Sequence, residues 1–465
     1  MHNPSDDRLR YAGKEVPLTR SGRKSTASLA AIASLALLAV LLAGASSASA
    51  SRRTAKACAT TTTVHLMHVV SPDFAIIDLA HQLGLDAKYC INIQRVIVPS
   101  AGTIIPAVAA GQAEFGYVNG GSLGQAVLQG VGIQGVLPAE IPKADNNGIF
   151  VANNSPIKSP GDLTGKRVGL ISVNSSGQAA VIKGLRARHV DNSKVTMIPY
   201  PFPQMCQGIV SGAIDAGQLA EPFLSQCKGQ VREVLPTWTA FGKHAALVYY
   251  IVNKNWAQSN PSVLHAVEQV LARAILAGIR SPSSLTPLVA NQDPKLTPDV
   301  VSQQIPPAFS LDNQTASLTT QLAWMKSLNL MASVPAISDI FVTPKASAGD
   351  DILWGTDSAD RISGGAGNDT IFGWSGRDTL AGGSGNDLIF VGQRGSVVSG
   401  GAGNDTIVAN DGRKNVGRNV IDCGPGHDVA YVHKGDKVKN CEVVKRTSAP
   451  QKLLASYGWP MSNPS

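Results

Sequence analysis

A nine-residue period near the C-terminus restricts what this 465-residue chain can form more than any other feature. Written in nines, it reads Gly364 to Phe372, Gly373 to Ala381 and Gly382 to Phe390. A degenerate copy, Val391 to Ser399, keeps the length, and Gly400 to Val408 restores the motif. Two weaker copies come first, ending at Trp354 and Ser363. The pattern is G-G-x-G-x-D-x-U-x, the nonapeptide of parallel β-rolls. Its glycines permit tight turns at positive φ. Its apolar eighth residue (Leu353, Ile362, Ile371, Leu380, Ile389, Ile407) is read as filling a thin core. Its aspartate turns toward the neighbouring coil, where a hard cation takes carboxylate and backbone carbonyl oxygens together. A glycine-rich linker would share the composition. It would not place an apolar residue two positions after each of these aspartates.

Each coil of such a roll takes two nonapeptides, so facing aspartates are eighteen residues apart. One row is Asp351, Asp369, Asp387 and Asp405; the other is Asp360 and Asp378, with Ser396 next. Calcium is therefore expected between successive members of the first row and between Asp360 and Asp378, with the second row ending there. Asp357 belongs to neither. The segment resembles the RTX-type calcium-binding repeats. Its ending, Ile421-Asp422-Cys423-Gly424-Pro425-Gly426-His427-Asp428-Val429 with Asn440-Cys441-Glu442, resembles the terminal cap of such repeats in secreted actinobacterial proteins.

Upstream of Pro344 the pattern differs. Short β-branched runs (64–70, 91–98, 114–118, 131–137) alternate with helical stretches. Such alternation predicts a mostly parallel sheet covered by helices. After a Pro/Ser/Gly-containing connection at 153–165 the alternation restarts, with strands at 167–171, 195–199, 213–219 and 231–235 and a returning strand at 246–252. A strong helix over 261–277 follows. The reading is a two-lobed α/β domain over 59–345, with lobe one at about 59–150 and 245–345 and lobe two at about 153–240. The all-β parallel roll with its cap then spans 346–445, and 446–465 is a tail.

RTX-type repeats often accompany hydrolases, but this chain has no H-E-x-x-H, no G-x-S-x-G and no phosphate-binding P-loop. Gly130-Val131-Gly132-Ile133-Gln134-Gly135 matches G-x-G-x-x-G, yet it leaves a helix and enters a strand, the reverse of a dinucleotide site. No enzymatic activity is expected. The net charge of +8 is scattered and densest in the leader, so nucleic acid is not an expected partner either.

Three segments carry a second resemblance: Ala109 to Val118 with Asn119-Gly120-Gly121; Asp162-Leu163-Thr164-Gly165-Lys166-Arg167-Val168-Gly169; and Ser211-Gly212-Ala213-Ile214-Asp215-Ala216 with Glu221-Pro222-Phe223. They resemble the periplasmic-binding-protein superfamily (type II), in its nitrate/sulfonate/taurine and thiamine-precursor branch of ABC transporter substrate-binding proteins. The resemblance implies a small-molecule solute in an inter-lobe cleft and an ABC transporter permease as partner. Three loops fit the cleft: Ser71 and Asp73; Asn119, Gly120, Gly121 and Ser122; and Asn174, Ser175 and Ser176. Each also suits ordinary turn and N-cap chemistry. Glu221 suits ligand contact and helix capping equally. Two functions follow: a secreted solute receptor for an importer, or a calcium-dependent wall or matrix protein whose recognition lobe is uncoupled from transport. Fungal pyrimidine-precursor synthases share the fold, but their cysteine-rich iron motif has no counterpart here. A monomer is expected.

The leader fits export. Arg20, Arg23 and Lys24 precede an apolar run from Ser28 to Ala43, and Ala48-Ser49-Ala50 supplies an A-x-A site. A signal peptide over 1–50 is the reading; an uncleaved anchor is the alternative the run's length allows. Lys56 before Cys58 spoils a lipobox. Six cysteines in an oxidising compartment are expected to pair as Cys58–Cys90, Cys206–Cys227 and Cys423–Cys441.

Overall fold

Apolar strands alternating with helices build two five-stranded sheets. The first has the order β2-β1-β3-β10-β4, from β1 (Thr62–His68), β2 (Ile91–Ile97), β3 (Phe115–Asn119), β4 (Ile133–Glu140) and β10 (Val248–Asn253). The second has the order β7-β6-β8-β5-β9, from β5 (Asn147–Ala152), β6 (Arg167–Leu170), β7 (Thr196–Pro199), β8 (Ala216–Ala220) and β9 (Val231–Pro236). The computed structural model describes residues 58–140, 147–237, 241, 248–292, 297, 309–392, 395–413 and 418–457. The expected signal peptide lies outside the described residues.

The two sheets repeat one device. Glu114, just before β3, accepts the backbone N–H of His65 at 2.6 Å, and Asp215, just before β8, accepts that of Arg167 at 2.8 Å. In each lobe an acid thus ties the start of one strand to its parallel neighbour. One expectation is corrected. The strand Asn147–Ala152, left largely in the first lobe by the sequence reading, pairs with β8 and β9 in the second sheet. The chain passes between the lobes before Asn147, so the Pro/Ser/Gly stretch at 153–165 is an internal loop of lobe two.

The roll is two parallel sheets laid face to face. One has the order β11-β13-β15-β17-β19-β21: Ile352–Trp354, Thr370–Phe372, Leu388–Phe390, Thr406–Val408, Val429–Tyr431 and Val443–Lys445. The other runs β12-β14-β16-β18-β20: Arg361–Ala366, Thr379–Ser384, Val397–Ala402, Val420–Asp422 and Lys437–Lys439. Pairing is parallel in register, Ile371 opposite Ile389 and Leu380 opposite Val398, at a spacing of eighteen residues. Between the sheets lie Leu353, Ile362, Ile371, Leu380, Ile389, Val398, Ile407 and Ile421. Turn glycines are required where coils touch. Gly383 and Gly401 have φ of +120° and +113°, and a Cβ on either would meet the preceding coil's carbonyl at about 2 Å.

The roll's first sheet is not free on its outer face. Trp354, Phe372, Phe390 and Val408 point away from the roll and join the core of lobe one. Phe372 stacks on Phe390 with 5.1 Å between ring centroids. Helix α4 (Pro261–Arg280) lies between, after α1 (Ala75–Gln82), α2 (Gly120–Leu128) and α3 (Ser176–Arg186) in chain order. It is long and apolar enough to cross a membrane, but it packs on α1 on one side and on the roll on the other. From it, buried Gln269 donates to the Ile352 carbonyl and accepts the Ile352 N–H, both at 2.9 Å. The side-chain amide takes the place of a neighbouring strand at the open edge of β11.

All six described cysteines are paired: Cys58–Cys90, Cys206–Cys227 and Cys423–Cys441, with Cα separations of 5.5, 5.8 and 5.1 Å. The first links the residues that precede β1 and β2, which are parallel partners.

Gln269→Ala is expected to leave two buried backbone groups of Ile352 unpaired and to cost about 2–6 kcal/mol, at about 1–3 per orphaned group. Denaturant unfolding in calcium would read this as a lowered midpoint at unchanged slope; an unchanged midpoint would refute the edge-strand role.

Candidate functional site

Between the two lobes lies a cavity of about 130 Å³. Its polar wall comes from both sheets: Ser71, Tyr117 and Asn119 from lobe one, and Asn147, Ser172, Ser176, Gln218, Glu221 and Thr237 from lobe two. Val69, Ile171, Phe202 and Val248 supply apolar surface. A few placed polar groups on an apolar lining are what a small-molecule site requires.

The predicted loops divide in three. Ser71, Asn119, Ser176 and Glu221 line the cavity. Asp73 does not; it is buried behind the wall, accepting from Ser71 Oγ at 2.6 Å and from the Tyr117 hydroxyl, so it orients two lining groups. Gly120, Gly121, Ser122, Asn174 and Ser175 are also outside the lining. Ser122 and Asn174 face a second groove on the far side of Asn119. Ser175 caps α3, accepting the Gln178 N–H at 3.2 Å.

The loops instead meet one another across the cleft. Asn119 Oδ1 accepts the Ser122 N–H at 2.9 Å, capping α2, and also the Ser176 N–H at 3.3 Å in the other lobe. Gly121 N–H donates to Ser176 Oγ at 2.7 Å. A Cβ on Gly121 would lie 2.4 Å from the Ser176 nitrogen, so only glycine permits this approach. Two helix starts thus abut with the cavity to one side. Glu221 accepts from Ser225 N–H at 3.1 Å and Ser225 Oγ at 2.9 Å, so it both caps the following turn and lines the cavity.

Sequence reasoning missed Gln218, Asn147 and Thr237. Gln218 reaches Ile171 N–H and Asn147 Oδ1, and Thr237 Oγ1 donates to Asn147 Oδ1 at 3.1 Å. A glutamine in the apolar strand Ala216–Ala220 was the available signal.

In the roll, the aspartates stack as hydrogen-bonded rows. Asp369 Oδ1 accepts the Asp351 N–H, Asp387 that of Asp369 and Asp405 that of Asp387, all at 2.8–2.9 Å. The rows do not stop where the motif fades. The first continues from Asp405 to Asp428 and Glu442; the second passes from Asp378 through Ser396 and Asn419 to Asp436. A serine hydroxyl or an asparagine carbonyl can also accept an amide N–H, more weakly than a carboxylate, so the pairing survives loss of charge. Asp351 and Asp360 differ from the rest. Asp351 is taken up by Ser347 and by His265 of α4 at 3.1 Å, and Asp360 by Thr356, because their turns carry Ser347 and Thr356 where the full repeats carry glycine.

The remaining carboxylates fit a hard cation. Asp369, Asp387, Asp405 and Asp428 each keep a buried Oδ2 with no hydrogen-bond partner. Asp369 Oδ2 lies against Gly364, where a Cβ would come within 2.1 Å of it and 2.5 Å of the Gly382 carbonyl oxygen. Among the described residues no three His, Cys, Asp or Glu side chains converge, and the Gly382 carbonyl beside Asp369 is the kind of backbone oxygen that a cation here would draw on. Burial, reinforced by neighbouring carboxylates, raises the carboxyls of Asp369 and Asp405 to about 6 and that of Asp378 to about 7. Burial would also raise Asp351, but His265 and Ser347 hold it below the ordinary value.

Residues 71–284 match the family model described as NMT1/THI5 like, and segments within 345–413 match the RTX calcium-binding nonapeptide repeat. Among solved structures, the ligand-binding component of an ABC-type import system from Staphylococcus aureus, with zinc bound, is 12% identical. It covers 61% of this chain and 97% of its own, with a TM-score of 0.52. The alkanesulfonate-binding protein SsuA from Xanthomonas axonopodis pv. citri, bound to MOPS, is 17% identical, covers 61% and 99%, and has a TM-score of 0.50. At these identities the likeness establishes the two-lobed fold. No curated protein matches the chain.

The raised carboxyls set the sign of a pH dependence. The metal-free folded roll binds more protons than the unfolded chain, so this contribution is full below the unfolded values near 4 and is lost as pH rises through 6 to 7. In chelator, β-structure is therefore expected to be greater at pH 5 than at pH 8. With calcium the order reverses, since protons compete for the same oxygens, and the half-saturating concentration should rise by about tenfold per pH unit per titrating carboxylate. Circular dichroism during calcium titration reads both arms. Asp387→Ala should weaken the response, and full β-structure in chelator at pH 8 would contradict it.

Proposed function

We propose that this chain, in which a two-lobed solute-binding fold is joined to RTX calcium-binding repeats, is a secreted receptor without catalytic activity. It captures a small polar or anionic molecule for an ABC-type importer, and calcium stabilises its roll. One observation carries the reading: polar side chains from both lobes converge on one cavity, beside which Asn119 and Gly121 of lobe one are hydrogen-bonded to Ser176 of lobe two. A ligand that bridges Tyr117 and Asn119 on one side to Gln218 and Asn147 on the other would bind the closed arrangement alone, which is how a receptor signals occupancy to a membrane partner. The paired cysteines and the need for free calcium both favour a site outside the cytoplasm.

Thermal-shift screening of the full chain in calcium, against alkanesulfonates, nitrate and pyrimidines, tests the reading, because a ligand of the native state raises the melting temperature. A hit should bind about tenfold more weakly to Gln218→Ala, for loss of one buried hydrogen bond. It should also compact the protein in X-ray scattering. A hit indifferent to Gln218→Ala, or binding with unchanged dimensions, would place the solute elsewhere and refute the cleft.

A further inference from the structure

Asp357 stands in neither aspartate row, yet it is tied to the solute-binding lobes. Its Oδ2 accepts Thr315 Oγ1 at 3.0 Å and the Ala316 N–H at 2.8 Å, and its own N–H donates to Thr315 Oγ1 at 3.0 Å. These contacts close the first turn of helix α5 (Thr315–Ser327), which has no side-chain cap of its own at Gln314. An acid from the roll therefore does what an N-cap residue normally does within its own helix.

Helix α5 runs from that cap to the cleft. Trp324 Nε1 donates to the Ala179 carbonyl at 3.3 Å on α3, in lobe two, and Lys183 of α3 lies 5.6 Å from the Trp324 ring centroid. Met325 is buried against Gly121, at the contact between the two helix starts. Ser176 and Ala180 of the same α3 line the cavity.

The turn that presents Asp357 is in turn fixed by the roll. Thr356 N–H and Oγ1 donate to Asp360 Oδ2 at 2.6 and 3.0 Å, Ser358 N–H to Thr356 Oγ1 at 3.1 Å, and Asp360 N–H to Asp378 Oδ1 at 3.1 Å. Order in the second row thus reaches α3 through one carboxylate and one helix.

We propose that Asp357 is a positioning residue for the cleft, through which the calcium-ordered roll braces helix α5 and hence the face of lobe two that lines the cavity. The roll is on this reading a strut of the receptor rather than an appended module. The inference rests on the calcium reading of the roll and assigns the cleft no particular solute.

Hydrogen–deuterium exchange of the full chain, with calcium or with EGTA and no solute added, tests it independently of what the cleft binds. With calcium, Asp357→Ala is expected to speed exchange of the α5 amides and the first turn of α3 by about fivefold, the value of one cap. The roll strands should keep their protection. Asp357→Asn, which retains an acceptor, should stay within about twofold of the parent. EGTA on the parent should expose the roll and α5 together. Unchanged α5 exchange in Asp357→Ala would overturn the proposal, as would a loss spread evenly over every strand. A roll that opens in EGTA while α5 stays protected would overturn it, and so would a roll that EGTA leaves unmoved.

Discussion

A solenoid only two strands thick cannot bury much, and the rest of this structure follows from that shortage. Leu353, Ile362, Ile371, Leu380, Ile389, Val398 and Ile407 fill the narrow space between the roll's sheets, one side chain per nonapeptide. Burial at about 25 cal/mol per Å² of apolar surface gives such a core little to set against the cost of ordering each coil. The deficit is met from two directions. Carboxylates stack along the edges with oxygens left over for a cation, and the outer face of one sheet is pressed into lobe one. Trp354, Phe372 and Phe390, on the roll's outer face, belong to the core of lobe one, so the roll is stabilised by a core that it does not itself enclose.

Sharing a core has a mechanical result. Helix α4 cannot shift against lobe one without disturbing the roll, since Gln269 holds the backbone of Ile352 and His265 holds Asp351. Lobe one and the roll therefore form the fixed part of the molecule. Lobe two is attached to that part by the bridge from Asn119 and Gly121 to Ser176 and by the contact of Trp324 with Ala179. The cavity lies beside these attachments.

How much of this was legible depended on whether a feature was periodic or relational. The nonapeptide revealed the roll, its inward residues and the eighteen-residue stacking, because each repeats one local rule. The cysteines fell into pairs because each partner flanks a neighbouring element. An aromatic ladder was also legible and was overlooked: the ninth position of alternate repeats is Trp354, Phe372 and Phe390, whereas the intervening ones are Ser363, Ala381 and Ser399. That alternation marks one sheet as covered and the other as exposed. In contrast, Asp351 carries the motif's aspartate and still serves His265, and Asp357 carries no motif and caps a helix forty-two residues upstream in sequence. No local pattern announces a partner that far away. The same holds for Asn119, whose side chain suits a turn, a cap or a ligand, and which here joins two lobes.

The two ends of the roll bear on how copies of the chain can meet. A stack of parallel strands is open at both ends, and each open end is a template on which another stack could grow. Here the first end is answered by the carboxamide of Gln269, which satisfies Ile352 and leaves no N–H or C=O of that residue for a stranger. The last strands, Lys437–Lys439 and Val443–Lys445, put lysines at the other end and are held down by Cys423–Cys441. The edge of β11 is thereby occupied and lysines stand on the terminal strands at the other end, two features that disfavour edge-to-edge addition there.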